Sequence, residues 1–493
     1  MSKNIIKQSA YVISVIALFS GCAVPELKIP GVSESGYESA HKATMDGNFT
    51  LAAECSDKDK DFKSKLDESN QLPTLYSGNS YMYCNDYESS LKRLEEAEAI
   101  VKYHNEEILL GSAGDLIAQL LLNDAVIDYH ATMNDAIMLN TYKAINYMAL
   151  GEMGKARIEF NRAIDRQRRA KETYAKLISK KQEAMNKKQA DEKNKLEAKN
   201  KSETKKKSNV SLDFDKTLKN PEIDKMIANK YPSLNNFEKY PDFVNPFTNY
   251  MAGIFFATQK DYLKSADILK EVYGMSKKSK HVKEDLVMVE NILDHKKTNG
   301  KKTTVNNVWV VYSNGLAPKK EQFRIDVPLF LFTDKISYTG ISLPKMVQQE
   351  LATKNLTVFN KNKLLSQSES FASMDRVVLT EFEYGYKDVV TRAVFSSLIK
   401  TYMQYELQRN MGAMAGLAAG VFQRLSTQAD TRTWGNLPKE YQISRIKMPK
   451  DKSIQIKVGS ENINLDLGDS KNAIVFVRKP SAVSKASYSV IKL

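Results

Sequence analysis

Histidine and cysteine are scarce in this chain, five and three among 493 residues. The histidines stand apart at His41, His104, His130, His281 and His295, and neither His-Glu-x-x-His nor Cys-x-x-Cys occurs. The usual metal-ligand spacings are therefore missing. Also missing are a glycine-rich phosphate loop and a dinucleotide-binding fingerprint. Long apolar runs are rare too: beyond the first 22 residues, no window offers eighteen uncharged apolar residues. That excludes a transmembrane helix there. No metal, no cofactor and no catalytic centre are expected.

What is present begins at the N-terminus. Lys3 and Lys7 precede a short apolar stretch, Ile13 to Phe19, and small residues then lead into a cysteine at Leu18-Phe19-Ser20-Gly21-Cys22. Charge, length and small residues are those of an export signal. The stretch resembles the lipobox of bacterial lipoproteins, with Phe19 where leucine is commoner. The resemblance implies cleavage after residues 1–21, a diacylglycerol thioether on Cys22, and an acyl chain such as palmitate on the new N-terminus. Residues 22–36 would be an anchor linker, and Ala23 favours the outer membrane; the periplasmic face is the expected side, with the cell surface as the alternative. A chain 42% hydrophobic and 27% charged reads as globular beyond that point, and its length calls for two or three domains.

Cys55 and Cys84 are the other two cysteines. In an oxidising periplasm they can pair in a disulfide; the alternative is two thiols packed as small apolar groups. Much of the formal net charge of +14 falls between Lys171 and Lys207. Lys, Glu, Gln and Ala without aromatics after Tyr174 describe a solvated helical or disordered arm, residues 171–212. Nucleic acid is not an expected partner, because aromatics are missing beside the charge and the chain is exported.

Residues 37–170 repeat themselves. Ala144, Tyr147, Gly151, Ala156, Phe160 and Ala163 fall at the small and large positions of a tetratricopeptide helix pair, which this stretch resembles. Similar spacing returns at Gly78, Tyr81, Tyr87, Ser90, Leu94 and Ala97, more weakly at Ala40, Ala43, Gly47 and Phe49, and again at Gly253, Phe256, Tyr262, Ser265 and Leu269. The bulky residue usual near each first-helix start is replaced by Thr74, Asn140 and Asn249. After a linker, residues 213–246, a further helical unit is expected over 247–297. Stacked helix pairs imply a concave groove that binds segments of another protein.

Residues 303–493 change character. β-rich runs at Val305–Tyr312, Gln322–Asp326, Tyr441–Lys447, Ser453–Val458, Asn462–Leu467 and Ala473–Val477 predict an antiparallel sheet or sandwich. A helical stretch from Met374 to Ala429 separates them. Within it, Gly412, Gly416 and Gly420 mark a close packing seam too short to span a bilayer. The fold class expected is multidomain α+β: N-terminal all-α tetratricopeptide-like repeats, then an α+β domain with packed helices.

Ser397-Leu398-Ile399-Lys400 matches the Ser-x-x-Lys of penicillin-recognising enzymes, but no Lys-Thr-Gly accompanies it and Ser397 sits mid-helix. Asp430, Arg432 and Trp434 form a loop cluster whose expected role is to lock a turn, with ligand binding the alternative. The segments Asn314–Lys320, Ala429–Pro438 and Ala163–Ala170 resemble those of an uncharacterised lipoprotein family of Gram-negative bacteria. The resemblance implies a helical-repeat half followed by a β-rich half. It further implies association with outer-membrane lipoprotein activators of penicillin-binding proteins. The expectation is a non-enzymatic, lipid-anchored envelope scaffold that binds an unidentified envelope protein in cell-wall synthesis or outer-membrane assembly. Alternatives are a surface or transport component binding an exported polymer, and a peptidoglycan hydrolase.

Overall fold

Four helix ends in the first half of the chain stop in the same way. A residue with positive φ (Gly47, Asn85, Gly151, Lys260) ends one helix, and the next residue donates its N–H back to a carbonyl five residues earlier. These bonds, Asn48 to Ala43, Asp86 to Tyr81, Glu152 to Tyr147 and Asp261 to Phe256, measure 2.8–3.0 Å. They are the Schellman turn, which satisfies carbonyls a helix end leaves bare. The computed structural model describes residues 34–58, 68–110, 129–202, 238–241, 243–276, 278–295, 297–298, 301–328, 338–411 and 429–493, with residues 225, 229 and 231. The anchor Cys22 and the Gly412–Gly420 seam lie outside the described residues, as do 203–212 of the arm and most of the linker. Residues 36–493 form one unit and residues 1–35 another.

The turns join α1 (Glu34–Met45) to α2 (Phe49–Lys58), α3 (Gln71–Tyr83) to α4 (Tyr87–Leu110), α5 (Met133–Ala149) to α6 (Met153–Ser202), and α7 (Pro246–Thr258) to α8 (Tyr262–Met275). A last helix, α9 (Lys280–Leu293), packs on α7 and α8. Some starts are capped as well. Thr132 and Asp135 form a capping box on α5, and Asn245 caps α7 ahead of Pro246.

Two pairs share a close-approach device. Ser90 Oγ donates to the Gly78 carbonyl at 2.6 Å, and Ser265 Oγ to the Gly253 carbonyl at 2.8 Å. A Cβ on either glycine would stand 2.8 Å from a leucine Cδ2, of Leu94 or of Leu269. Ala144 and Ala156 occupy the matching places in the α5–α6 pair, both fully buried. Gly78→Ala and Gly253→Ala should each destabilise by roughly 1–3 kcal/mol through overpacking. Exposed Gly154, where an added Cβ would meet nothing within 4 Å, should tolerate the same change. Urea titration of the three variants checks this.

The second half is a mixed module. A five-stranded sheet has the order β13–β12–β3–β9–β8, formed by Ser487–Lys492, Ala473–Lys479, Asn307–Asn314, Glu440–Lys447 and Glu369–Ser373. A four-stranded sheet runs β11–β10–β6–β7, formed by Glu461–Asp466, Ser453–Val458, Leu356–Asn360 and Lys363–Gln367. Two hairpins stand beside them: the short β1 (Lys297–Thr298) with β2 (Lys301–Lys302), and the long β4 (Lys319–Pro328) with β5 (Tyr338–Val347). Pairing is antiparallel except between β3 and β12, which run parallel. The expected antiparallel sheet is found, with that one pair as the exception: more than a hundred residues separate the two strands, ample for a crossover. The helix α10 (Met374–Met411) leaves β8 directly.

Strand alternation sorts the layers. Val308, Val310 and Tyr312 of β3 pack with Val358, Ile456 and Val477 between the sheets. Trp309 and Val311 point the other way, into a core shared with Phe247, Phe255, Tyr142 and Leu75 of the helices. The architecture is thus helices, sheet, sheet. The helical region and the β-rich module, expected as separate domains, share one core within residues 36–493.

Candidate functional site

The inner helices α3, α5 and α7 are the wall on which a groove ligand would lie. Residues 134–148 of α5 and 246–257 of α7 are all buried. What covers them is the chain's own sheet. Phe247 stacks on Tyr441 at 3.5 Å between ring centroids, and Tyr142 and Tyr441 share a hydroxyl hydrogen bond of 2.7 Å. Tyr250 packs on Phe371 at 4.6 Å. The groove expected to receive another protein is filled by β8, β9 and β13 and by residues 434–436.

Polar contacts lock this seam at two places, and a third joins α10 to α5. First, Asn436 Nδ2 donates to the Tyr76 carbonyl and to Ser80 Oγ, at 2.9 and 3.0 Å. Asn79 Nδ2 donates back to Asn436 Oδ1 at 3.2 Å. The fully buried Arg478 donates to the carbonyls of Ser313, Gly315 and Asn436. Second, the wholly buried carboxylate of Asp285 on α9 accepts from Tyr250 Oη at 2.6 Å, Trp309 Nε1 at 3.0 Å and Arg445 Nε at 2.6 Å. Third, Glu381 of α10 accepts from the backbone N–H groups of Met133 and Asn134, at 2.7 and 3.1 Å, at the start of α5. Burial and then the neighbouring Asp135 charge push its carboxyl up to about 7, against those donors.

The sequence-predicted residues fall into this frame as packing groups. Ala144, Ala156 and Phe160 are fully buried between helices, as is Phe256 with Lys264 Nζ 4.3 Å from its ring centroid. Gly78 and Gly253 mark the close approaches, and Gly151 is an exposed turn residue. Tyr81 donates to Asp57 at 3.0 Å, and burial with that carboxylate pushes its hydroxyl up to about 12. Tyr147 donates to Glu95 at 2.9 Å, and Tyr262 packs half-buried on the core. In the loop cluster Asp430 and Arg432 pair at 2.8 Å, and Trp434 is buried edge-on to Tyr142 at 5.8 Å.

Cys55 and Cys84 do not pair. Both are free thiols against the core, and Cys84 turns its Sγ to the Tyr81 carbonyl one helical turn back. Burial pushes the Cys84 thiol up, away from thiolate reactivity. The arm is no separate element at its start, because α6 runs unbroken from Met153 to Ser202. Glu172 and Lys176 pair at 2.7 Å along it, in the favourable i to i+4 order.

Two arrangements carry chemistry that the sequence did not show. Ser366 Oγ lies 3.3 Å from His281 Nε2, and Glu284 lies 3.5 Å from Nδ1. That is the order of a nucleophile, a base and an orienting acid. But the Gln367 carbonyl, which can only accept, stands nearer to Nε2 at 3.1 Å. Nε2 therefore carries its proton and cannot take one from Ser366. The trio ties α9 to β7. Ser397, buried, faces the Gly340 carbonyl at 3.5 Å.

The second is a cleft of about 840 Å³ where the α1–α2 and α3–α4 turns meet the β12–β13 loop. Asp46, Asn48 and Asn85 line it with Phe49, Tyr83, Cys84, Val483, Lys485 and Tyr488. Aromatic walls with a few amides and one charge of each sign suit a peptide side chain better than a bare ion. Among the described residues no cluster of three or more metal-ligating side chains occurs, and no helix is long and apolar enough to cross a membrane. No family model matches the chain, and a search of curated proteins finds no relative.

Proposed function

We propose that this chain is a lipid-anchored, non-enzymatic scaffold of the bacterial cell envelope. Cys22 would be its anchor, and its tetratricopeptide-like helix pairs a frame that presents outer surfaces to an envelope protein. The observation that carries the reading is the filled seam. Asn436 and Asp285 spend conspicuous polar groups of the interior on joining helices to the β-rich module, and Glu381 joins α10 to α5. That supports a rigid body whose work lies at its surface. The partner then meets turns, edges and outer helices, and the inner wall is closed to it.

A second reading has its own support. Residues 171–207 hold thirteen lysines and six acidic residues, half of the formal net charge of +14. Such an arm on a helix suits an anionic polymer or anionic lipid headgroups. Crosslinking in intact envelopes separates the readings: a stoichiometric protein favours the scaffold, co-purifying polysaccharide the polymer-binding role.

The anchor is tested by Cys22→Ser. The variant is expected to leave the membrane fraction and lose its crosslinked partner, while its circular dichroism and melting stay those of the parent. Tethering raises effective concentration near the membrane without any new contact. If the released protein still captures the partner in full yield, the anchor has no part in binding.

A further inference from the structure

The five-stranded sheet ends in β13, and the backbone there has a definite polarity. Leu493 and Asn472 exchange both backbone hydrogen bonds, at 2.8 and 2.9 Å, just beyond the β12–β13 ladder. Alternation in an antiparallel pair then fixes the rest. Ile491, Ser489 and Ser487 turn their N–H and C=O groups to β12, while Lys492, Val490 and Tyr488 turn theirs to the open edge. Asn85 Nδ2 agrees with this phase, because it donates to the outward Tyr488 carbonyl at 3.2 Å. No other hydrogen bond to these outward groups is seen among the described residues. Tyr488 is 45% exposed, Val490 half-buried and Lys492 exposed.

The Ser487–Tyr488 end of this edge opens into the cleft described above, whose wall includes Phe49, Tyr83 and the 90% exposed Val483. Outward N–H and C=O groups on alternate residues call for an extended backbone, and the aromatic-walled cleft beside them for an apolar side chain. Charge narrows the occupant further. Lys485 and Lys492 flank the edge, in a chain of formal net charge +14. Two copies joined edge to edge would oppose these lysines, the device that keeps natural edges from self-pairing. An acidic segment would meet them favourably.

We propose that β13 and the adjoining cleft bind an extended, acidic segment of a partner protein by strand addition. As the contact surface of the envelope scaffold, the site rests on that reading for its biological role. Its binding of a peptide does not.

The probe is a fluorescein-labelled ten-residue peptide of alternating valine and glutamate, followed by anisotropy on the full chain. Val490→Pro deletes one outward N–H and leaves the bonds to β12 in place, as proline at an edge can. The peptide is expected to bind the parent and to bind Val490→Pro at least roughly tenfold more weakly, while circular dichroism shows the variant folded at the binding temperature despite the lost packing of the half-buried Val490. Lys485→Glu with Lys492→Glu is expected to weaken binding and flatten its salt dependence. Equal binding to parent and Val490→Pro overturns the proposal, as does no binding to the parent. A parent dimer that Val490→Pro dissolves also overturns it, in favour of a second copy. Should Cys22→Ser capture the envelope partner in full while Val490→Pro loses the peptide, the anchor reading fails and the edge stands.

Discussion

Replacing Asp285 by alanine should destabilise the protein by about 3–5 kcal/mol, the usual cost of removing one partner from a buried ion pair. Its carboxylate is wholly buried and accepts from Tyr250, Trp309 and Arg445, so deletion leaves three donors without an acceptor. Arg445 is the costly one, because its side chain is 9% exposed and an unpaired guanidinium is poorly solvated there. Glu284, 3.6 Å from Arg445 and half-exposed, offers only partial relief. The expected signature is a lower denaturation midpoint together with weakened docking of α9 on β3 and β9, seen as faster amide exchange in α9. Asp285→Leu combined with Arg445→Met should recover part of the loss, since it removes the unpaired guanidinium but leaves Tyr250 and Trp309 without their acceptor. If Asp285→Ala melts within a degree of the parent, the lock is ornamental and the seam is held by apolar packing alone.

Local signals were legible in the chain; the partners of buried faces were not. Gly47 and Gly151 stand at small positions of the repeat spacing and end their helices with positive φ, and Ser453–Val458 carries period-two alternation over its true bounds. The β6–β7 hairpin gives no such signal, because most of β7 is exposed and little apolar alternation is left in it. β13 is silent for a similar reason, with Ile491 its one buried residue. Asn436 and Asn79 meet across 357 residues, and no local pattern encodes such a pair. The filled groove did leave a trace. Phe247, Tyr250, Met251, Ile254, Phe255 and Phe256 put apolar side chains all round α7, and a helix apolar on every side must be covered on every side. The disulfide was undecidable from spacing, because the geometry that sets it is the Cα separation.

Glu381 makes the clearest pH prediction. Its carboxyl is raised to about 7 in the folded chain, above its ordinary value of 4.5, with burial the main cause. A carboxyl raised on folding binds its proton more tightly in the native state. The linkage slope is therefore negative between the two values: stability falls as pH rises from about 4.5 to about 7, and is flat above and below. Integrated over that window, the change is about 3 kcal/mol. Glu98, held down to about 2 by Lys143, Arg166 and Lys102 against its own burial, acts in the opposite sense. Its contribution is present above about 4.5 and lost as pH falls towards 2, so the two windows do not overlap. Met133 and Asn134 donate to different oxygens of Glu381, so Glu381→Gln keeps an acceptor for one of the two N–H groups, loses the other bond at every pH, and removes the titration. The difference in stability between parent and Glu381→Gln should move in favour of the variant as pH rises from 4.5 to 7, by up to about 3 kcal/mol. Urea titrations at half-unit pH steps give this difference directly. A constant difference across the window would mean that Glu381 stays ionised throughout. Its bonds to the start of α5 would then be those of an ordinary helix-capping carboxylate, and the α10–α5 contact would be insensitive to pH.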